Sequence, residues 1–106
     1  MRVLLDENLD HALRKLLGPH EVVTVTYMGW TGLQNGELLT PAKNAGFELF
    51  ILADKNLRYQ QNLAGRRLAI LELWTNHRPS MEKHFPFIQT AAESMVAGEY
   101  RSLESP

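Results

Sequence analysis

Two stretches of the sequence share one design, in which an apolar run stops abruptly at an acidic residue. The first run, Val3 to Leu5, ends at Asp6, and the second, which closes with Leu49 to Ala53, ends at Asp54. An apolar run without alternation is typical of a strand buried on both faces, as in a parallel sheet covered by helices. Open α/β sheets bind their ligands at the carboxyl ends of the strands. The repeated pattern therefore predicts two acids at the functional edge of such a sheet.

Composition limits what else the chain can be. Its 106 residues, 44% of them hydrophobic and 22% charged, fit one globular domain, which we expect over residues 1–97, with a flexible tail over 98–106. The absence of cysteine excludes disulfides, thiolate metal sites and cysteine nucleophiles. With no secretory leader and no membrane span expected, the predicted location is the cytoplasm. A net charge of −1 neither supports nor excludes a nucleic-acid partner.

Strand and helix patterns alternate along the chain. Helical spacing of apolar residues, β-branched runs and Gly or Pro stops mark the predicted elements. The predicted fold is a three-layer α/β/α sandwich around a mainly parallel four-stranded sheet. Its strands are expected near residues 3–5, 21–26, 48–53 and 68–73, and its helices near 9–17, 38–45 and 85–95.

Two positions leave alternatives open. Pro41 either kinks the second helix, which then has Asn35 as its cap, or begins a shorter helix after Thr40. Trp30 lies in a Gly-rich loop, where a hydrophobic lid that packs on a helix is the favoured interpretation.

The strand ends would gather a set of oxygen donors. Asp6 and Asp54 follow two strands, and Glu37 can join them from the start of the second helix. Like charges so close together favour a bound cation, and hard oxygen ligands suit Mg²⁺ or Mn²⁺. Such an ion can activate water against a phosphodiester. The polar residues expected to support this site are Glu7, Asn8, Asn56, Thr75 and Asn76.

Structural roles compete with this chemistry. Asp6 alone can be a helix cap, Glu37 alone can be a solvated residue in a first helical turn, and the Asn and Thr residues can form caps and turns. It is the coincidence of two acids after two apolar strands that favours a metal site. The basic residues between 55 and 71 either bind RNA phosphates or form a solvated face. They are Lys55, Arg58, Arg66 and Arg67.

The segments VLLDENL, NGELL and LADKNLRYQQNLAGRRLAIL resemble those of small single-domain PIN-like proteins, over about residues 1 to 90. The resemblance implies a parallel α/β sandwich in which carboxylates hold Mg²⁺ or Mn²⁺. It also implies ribonuclease activity and a role as the toxin of a toxin–antitoxin pair. By the same resemblance Asp6, Glu37 and Asp54 match three of the family's acids. The fourth acid has no counterpart, and Asn76 is the nearest candidate. Lys55 beside Asp54 is a second departure, because an ammonium there competes with a divalent cation.

Other functions remain open at this stage. The missing fourth acid favours a catalytically degenerate PIN-like module that only binds another protein. A receiver-type phosphoacceptor domain would also place acids after strands one and three and Thr75 after strand four, but it needs a further strand and a lysine. Whether the chain pairs with a second copy is also open.

Overall fold

Strands and helices alternate along the part of the chain that the computed structural model describes, which is residues 1–9, 13–17, 19–33, 35–53 and 67–106. The protein is therefore of the α/β class, as predicted. The elements in chain order are β1 (Arg2–Leu5), α1 (Leu13–Leu16), β2 (Glu21–Thr24), α2 (Asn35–Asn44), β3 (Leu49–Leu52), β4 (Ala69–Glu72), α3 (Arg78–Lys83), α4 (Phe85–Ser94) and β5 (Tyr100–Ser102).

These strands form one parallel sheet in the order β2-β1-β3-β4-β5. Leu5 of β1 pairs with Thr24 of β2 on one side and with Ile51 of β3 on the other. The chain thus adds β2 to one side of β1 and then crosses over to build β3, β4 and β5 on the opposite side. This change of direction creates a topological switch point between β1 and β3.

Both faces of the sheet are buried, which explains the apolar runs without alternation. Every residue of β3 and β4 is buried. Because successive side chains point to opposite faces, the strands supply two separate hydrophobic clusters. We call the two sides the α1 face, which carries Val3, Leu5, Leu49, Ile51 and Leu71, and the α2 face, which carries Leu4, Phe50, Leu52 and Ile70.

Helices cover each face. Leu13 of α1, Met81 of α3 and Ile88 of α4 belong to the cluster on the α1 face. Leu38 and Leu39 of α2 belong to the cluster on the α2 face. The described residues therefore form helix, sheet and helix layers. The apolar faces predicted from helical spacing are confirmed at Leu38, Leu39, Ala42, Ile88, Ala91 and Ala92, all of which are buried.

The α2 helix runs through Pro41, so the longer of the two predicted helices is the one that forms. Proline has no N–H to donate to the carbonyl of Glu37, four residues earlier, and its ring crowds that turn. Gly46 follows the end of the helix with a φ of 86°, which is in the left-handed region. Gly46 N–H donates to Lys43 O at 3.0 Å and Phe47 N–H donates to Ala42 O at 3.1 Å, which is a Schellman ending.

The sheet has one strand more than the four predicted from the sequence. The additional strand, β5, lies within the segment 98–106 that we expected to be a flexible tail. It pairs in parallel with β4, and Leu103 N–H extends the ladder by donating to Glu72 O at 2.7 Å. Tyr100 and Leu103 also pack on the two hydrophobic clusters. The segment is therefore attached to the core by strand pairing and by two partly buried side chains, and the prediction of a flexible tail was wrong for residues 100–102.

The last predicted helix forms as α4, and a further helix that was not predicted, α3, precedes it. α3 and α4 meet at His84, and each carries a proline in its first turn. Proline is favoured there because the first N–H groups of a helix have no partner inside it. Within the described residues, no helix has the length and apolar character needed to cross a bilayer.

Candidate functional site

The topological switch point is the place where this fold can form a ligand site. β1 and β3 are neighbours, and their carboxyl ends lie at the same edge of the sheet. β2 lies beside β1 on one side and β4 lies beside β3 on the other, and in open α/β sheets such a switch point is where ligands commonly bind. Asp6 follows β1 directly at this edge, and Asp54 comes two residues after the end of β3 in the sequence.

Asp6 is buried, with only 4% of its surface exposed. Its backbone N–H donates to Ile51 O of β3 at 3.0 Å, and its carbonyl accepts from Leu9 N–H at 3.1 Å. Its side-chain Oδ1 accepts from the backbone N–H of Glu7 at 3.0 Å. These bonds hold the carboxyl group at the end of β1 in one orientation. Burial of a carboxyl group is costly without hydrogen-bond partners, and the Glu7 N–H is one such partner for Asp6.

The neighbouring residues Glu7 and Asn8 are both exposed. Asn8 was a candidate cap for the first helix, but residues 10–12, where that cap would act, lie outside the described residues. The two side chains therefore flank Asp6 on the solvent side of the sheet edge.

Glu37 lies in the first turn of α2 and is exposed. A helix that connects two parallel strands runs antiparallel to them, so its first turn is at the carboxyl edge of the sheet. α2 packs on the face that carries Leu4 and Leu52. Glu37 is consequently at the same edge as Asp6, on the α2 face, as predicted from its position in the chain.

A further buried acid, Glu72, escaped the sequence analysis. It is 2% exposed and lies at the end of β4, where its register partner on β3 is Leu52. Strand alternation places Glu72 and Asp6 on the same α2 face and at the same level, about 10 Å apart across two strand spacings. The sequence did contain a signal for this site, because Glu72 is the one acid in an otherwise apolar strand. The apolar residues around it led to the segment being interpreted only as a buried strand.

Both carboxylate oxygens of Glu72 are engaged by β5. The Tyr100 hydroxyl donates to one oxygen, and the Ser102 hydroxyl donates to the other at 2.9 Å. Ser102 is also the register partner of Glu72 across the β4–β5 ladder. The described contacts therefore make Glu72 an anchor for the last strand.

Residues after β4 complete this edge. The Thr75 hydroxyl accepts from His77 N–H at 3.0 Å, an arrangement typical of a turn, and Asn76 is exposed. Beside them Trp74 packs edge-on against His84, with ring centroids 5.9 Å apart. It also contacts Phe87, which is 40% exposed. The edge thus combines oxygen donors with a partly exposed aromatic group.

Several predicted site residues lie outside the described residues: Asp54, Lys55, Asn56, Arg58 and Arg66. Arg67 is described, and it is exposed, two residues before the start of β4. It lines a cavity of about 330 Å³ with Met1 and Glu48 at the amino ends of the strands. The structure therefore puts Arg67 at the opposite end of the sheet from Asp6, and not beside the acidic edge.

A cation site at the switch point depends on Asp54. Among the described residues, no three His, Asp or Glu side chains come together as a metal-binding group. The oxygen donors of Asp6 and Glu37 are of the type that Mg²⁺ and Mn²⁺ prefer. The donor chemistry fits, and the set is complete only with the acid that follows β3.

No protein-family model, curated protein or solved structure matches this chain. The switch point and its side chains are therefore the basis for a functional proposal.

The remaining aromatic candidate, Trp30, has a packing role. It is half-buried against the cluster on the α2 face and meets Phe47 edge-on, with centroids 6.2 Å apart. Phe47 in turn carries the Arg2 guanidinium over its ring at 4.3 Å. Trp30 therefore covers the core, as the lid interpretation predicted.

Proposed function

We propose that this protein is a PIN-like ribonuclease that depends on Mg²⁺ or Mn²⁺. The observation that carries the proposal is the buried Asp6 carboxyl at the switch point, on the strand next to the one that Asp54 follows. In an open α/β sheet such a switch point is where ligands commonly bind. The sequence resemblance to PIN-like proteins supports the same function.

In this proposal Asp6 and Asp54 hold the metal, and Glu37 contributes from the first turn of α2. The bound ion would activate a water molecule and stabilise negative charge on the phosphodiester. Asp6 contributes a charge whose orientation is set by the Glu7 N–H bond to Oδ1. Exposed Glu37 can reposition to meet substrate or hydrated metal.

The RNA backbone needs cations near the acidic edge to offset repulsion from the carboxylates. We assign this role to Lys55, Arg58 and Arg66, and not to Arg67, because Arg67 lies at the other end of the sheet.

The proposal also makes the protein a cytoplasmic toxin component that a cognate antitoxin would restrain. Growth arrest on expression of the natural chain, with no arrest on expression of Asp6→Asn, is the expected cellular result.

Thermal unfolding with and without Mn²⁺ tests the metal site. The variants are Asp6→Asn and Asp54→Asn, with Glu104→Gln as a control that removes an exposed carboxylate after β5. The amide in Asp6→Asn would retain an oxygen for the Glu7 N–H bond, so this variant should fold. At 100 times Kd, Mn²⁺ should stabilise the natural chain and the control by about 2.7 kcal/mol and the two Asp variants by much less. Equal Mn²⁺ responses in all four proteins would exclude the site.

A cleavage assay separates the nuclease from a degenerate binding module. Labelled single-stranded RNA is incubated with each protein in Mg²⁺ or Mn²⁺. Cleavage by the natural chain that is lost in both Asp variants supports the nuclease. Metal stabilisation without any cleavage identifies the degenerate, protein-binding alternative.

A receiver-type phosphoacceptor domain is the second candidate, and the strand order favours it. The order β2-β1-β3-β4-β5 is the flavodoxin-like order, which receiver domains share. The fifth strand also answers the objection that the chain is one strand short. Against it, neither β5 nor the residues directly after it, Leu103 and Glu104, include the lysine that such a domain needs. Incubation with acetyl phosphate and intact-mass measurement tests it, since a phosphoacceptor would gain one phosphoryl group on Asp54.

A further inference from the structure

The outer edge of β2 borders two adjoining cavities. One, of about 560 Å³, is lined by Arg14, Lys15, His20 and Val22. The other, of about 290 Å³, shares Arg14 and Val22. Its remaining lining residues are Glu21, Val23, Thr24 and Tyr27, so this cavity follows β2 along its length. We call the two together the β2 groove.

The floor of the β2 groove is the outer backbone edge of β2. Glu21 N–H donates to Met1 O at 3.1 Å, and Val25 N–H donates to Leu5 O at 2.9 Å. In a parallel ladder alternate residues bond to the neighbouring strand. The N–H and C=O of Val22 and the N–H of Thr24 therefore point away from β1. In the described part of the chain, no strand pairs with this side of β2.

The charge of the β2 groove is mainly positive. Arg14 and Lys15 are exposed, and neither forms an ion pair with another described residue. The one acid in the lining, Glu21, already pairs with Arg2 at 3.2 Å. His20 contacts Glu93 at 3.0 Å, which fixes its ring at the groove wall.

An apolar surface completes the β2 groove. Val22 and Val23 lie on opposite faces of the edge strand, and both line the smaller cavity. Tyr27, which is 82% exposed, stands at the carboxyl end of the groove. Tyrosine is enriched at protein interfaces because it combines an apolar ring with a polar tip.

We propose that the β2 groove binds an extended acidic segment of a partner protein, which adds to the sheet as a further strand beside β2. Backbone groups of the segment pair with Val22 and Thr24, apolar side chains fill the smaller cavity, and acidic side chains meet Arg14 and Lys15. Strand addition of this kind draws affinity from main-chain bonds and specificity from alternate side chains. The proposal does not rest on the metal site, because Asp6 is not among the described residues that line the β2 groove.

The opposite edge of the sheet is a poorer candidate for an acidic segment. On β5, Arg101 already pairs with Glu99 at 2.8 Å and donates to the Ser94 hydroxyl at 2.9 Å. Its charge is therefore neutralised within the protein.

The probe is a capped, fluorescent peptide of about eight alternating Glu and Val residues, with a Lys and Val peptide as its matched partner. Fluorescence anisotropy at low salt should show binding of the acidic peptide and at least tenfold weaker binding of the basic one. The double variant Arg14→Glu/Lys15→Glu should weaken binding at least tenfold. Its matched control, Lys43→Glu/Lys83→Glu, changes exposed lysines in α2 and α3 and should bind within threefold of the natural chain.

Val22→Pro tests the backbone contacts, because it removes an outward N–H without touching the β1–β2 ladder. We expect loss of binding by Val22→Pro. A peptide N-methylated at alternate backbone amides gives the same test on the natural chain if Val22→Pro fails to fold. Absence of peptide binding, or equal binding by the charge-reversed variant or the N-methylated peptide, overturns the proposal. Displacement of the peptide by single-stranded RNA, with RNA binding abolished by Arg14→Glu/Lys15→Glu, would overturn it in favour of a nucleic-acid site.

Discussion

The attachment of β5 to the sheet depends on a buried carboxylate, and Tyr100→Phe tests this directly. The substitution keeps the aromatic ring and removes the hydroxyl that donates to Glu72. Because Glu72 is 2% exposed, water cannot easily replace the lost donor. A hydrogen bond to a charged group contributes about 1.5–3 kcal/mol. Tyr100 is only half-buried, so we expect a loss of about 2 kcal/mol in the free energy of unfolding.

Urea denaturation followed by circular dichroism measures this loss. The midpoint should fall while the denaturant slope is unchanged, since the same surface is exposed on unfolding. For a domain of this size the melting temperature should fall by about 8 °C. Tyr27→Phe is the matched control, because Tyr27 is 82% exposed and its hydroxyl loss should cost less than about 0.5 kcal/mol.

A second hydroxyl gives an internal check. Ser102→Ala removes the donor to the other oxygen of Glu72. Because both hydroxyls serve one carboxylate, the double variant should depart from additivity by at least about 0.5 kcal/mol. If Tyr100→Phe is no more costly than Tyr27→Phe, the Glu72 contacts do not hold β5 and the reasoning fails.

Gly46, Pro41 and Glu99 each provide a further test of the structure. Gly46→Ala should lower the free energy of unfolding by about 1 kcal/mol in chemical denaturation, because its φ of 86° strains any residue with a Cβ, whereas a change of less than about 0.3 kcal/mol would contradict this. Pro41→Ala should raise it by about 1–2 kcal/mol in the same assay, because it removes the ring that crowds the preceding turn of α2. A decrease would show that α2 needs the proline. The pKa of Glu99 is lowered by a hydrogen bond from the backbone N–H of Val96 and, next, by Arg101. The charged Glu99 therefore contributes stability that is fully present above the ordinary pKa of 4.5. This contribution is lost as the pH falls through the lower pKa of the folded state. Glu99→Gln should therefore have a lower melting temperature than the natural chain at neutral pH and the same melting temperature in acid. A difference in melting temperature that is the same at every pH would contradict the assignment.

Predictions from local pattern succeeded where one residue type repeats at one spacing. The runs Val3 to Leu5 and Leu49 to Leu52 are strands because they have no polar residue to turn toward water, and both faces of the sheet are in fact covered. The buried face of α2 follows in the same way from its apolar spacing. The position of Asp6 at a strand end was also predictable, because the residue stands where the apolar run stops.

Predictions failed where a residue's environment is made by distant parts of the chain. Tyr100 to Ser102 shows no apolar alternation. It pairs with β4, and the Ser102 hydroxyl donates to Glu72, which lies 30 positions earlier in the chain. Arg67 looked like a neighbour of the acidic edge, but it precedes a strand and is therefore at the amino end of the sheet. The nearness of Asp54 to Asp6 stays a prediction.

The sequence by itself determined the α/β class, the buried strands and the acid at the end of β1, because these depend on hydrophobic period and on where it stops. Only the tertiary structure decided the strand order, the switch point between β1 and β3, the anchoring of β5 by Glu72, and the open edge of β2. Each of these is a relation between segments far apart in the chain. Local residue pattern carries no information about which strands become neighbours, because pairing is selected by how the whole core packs.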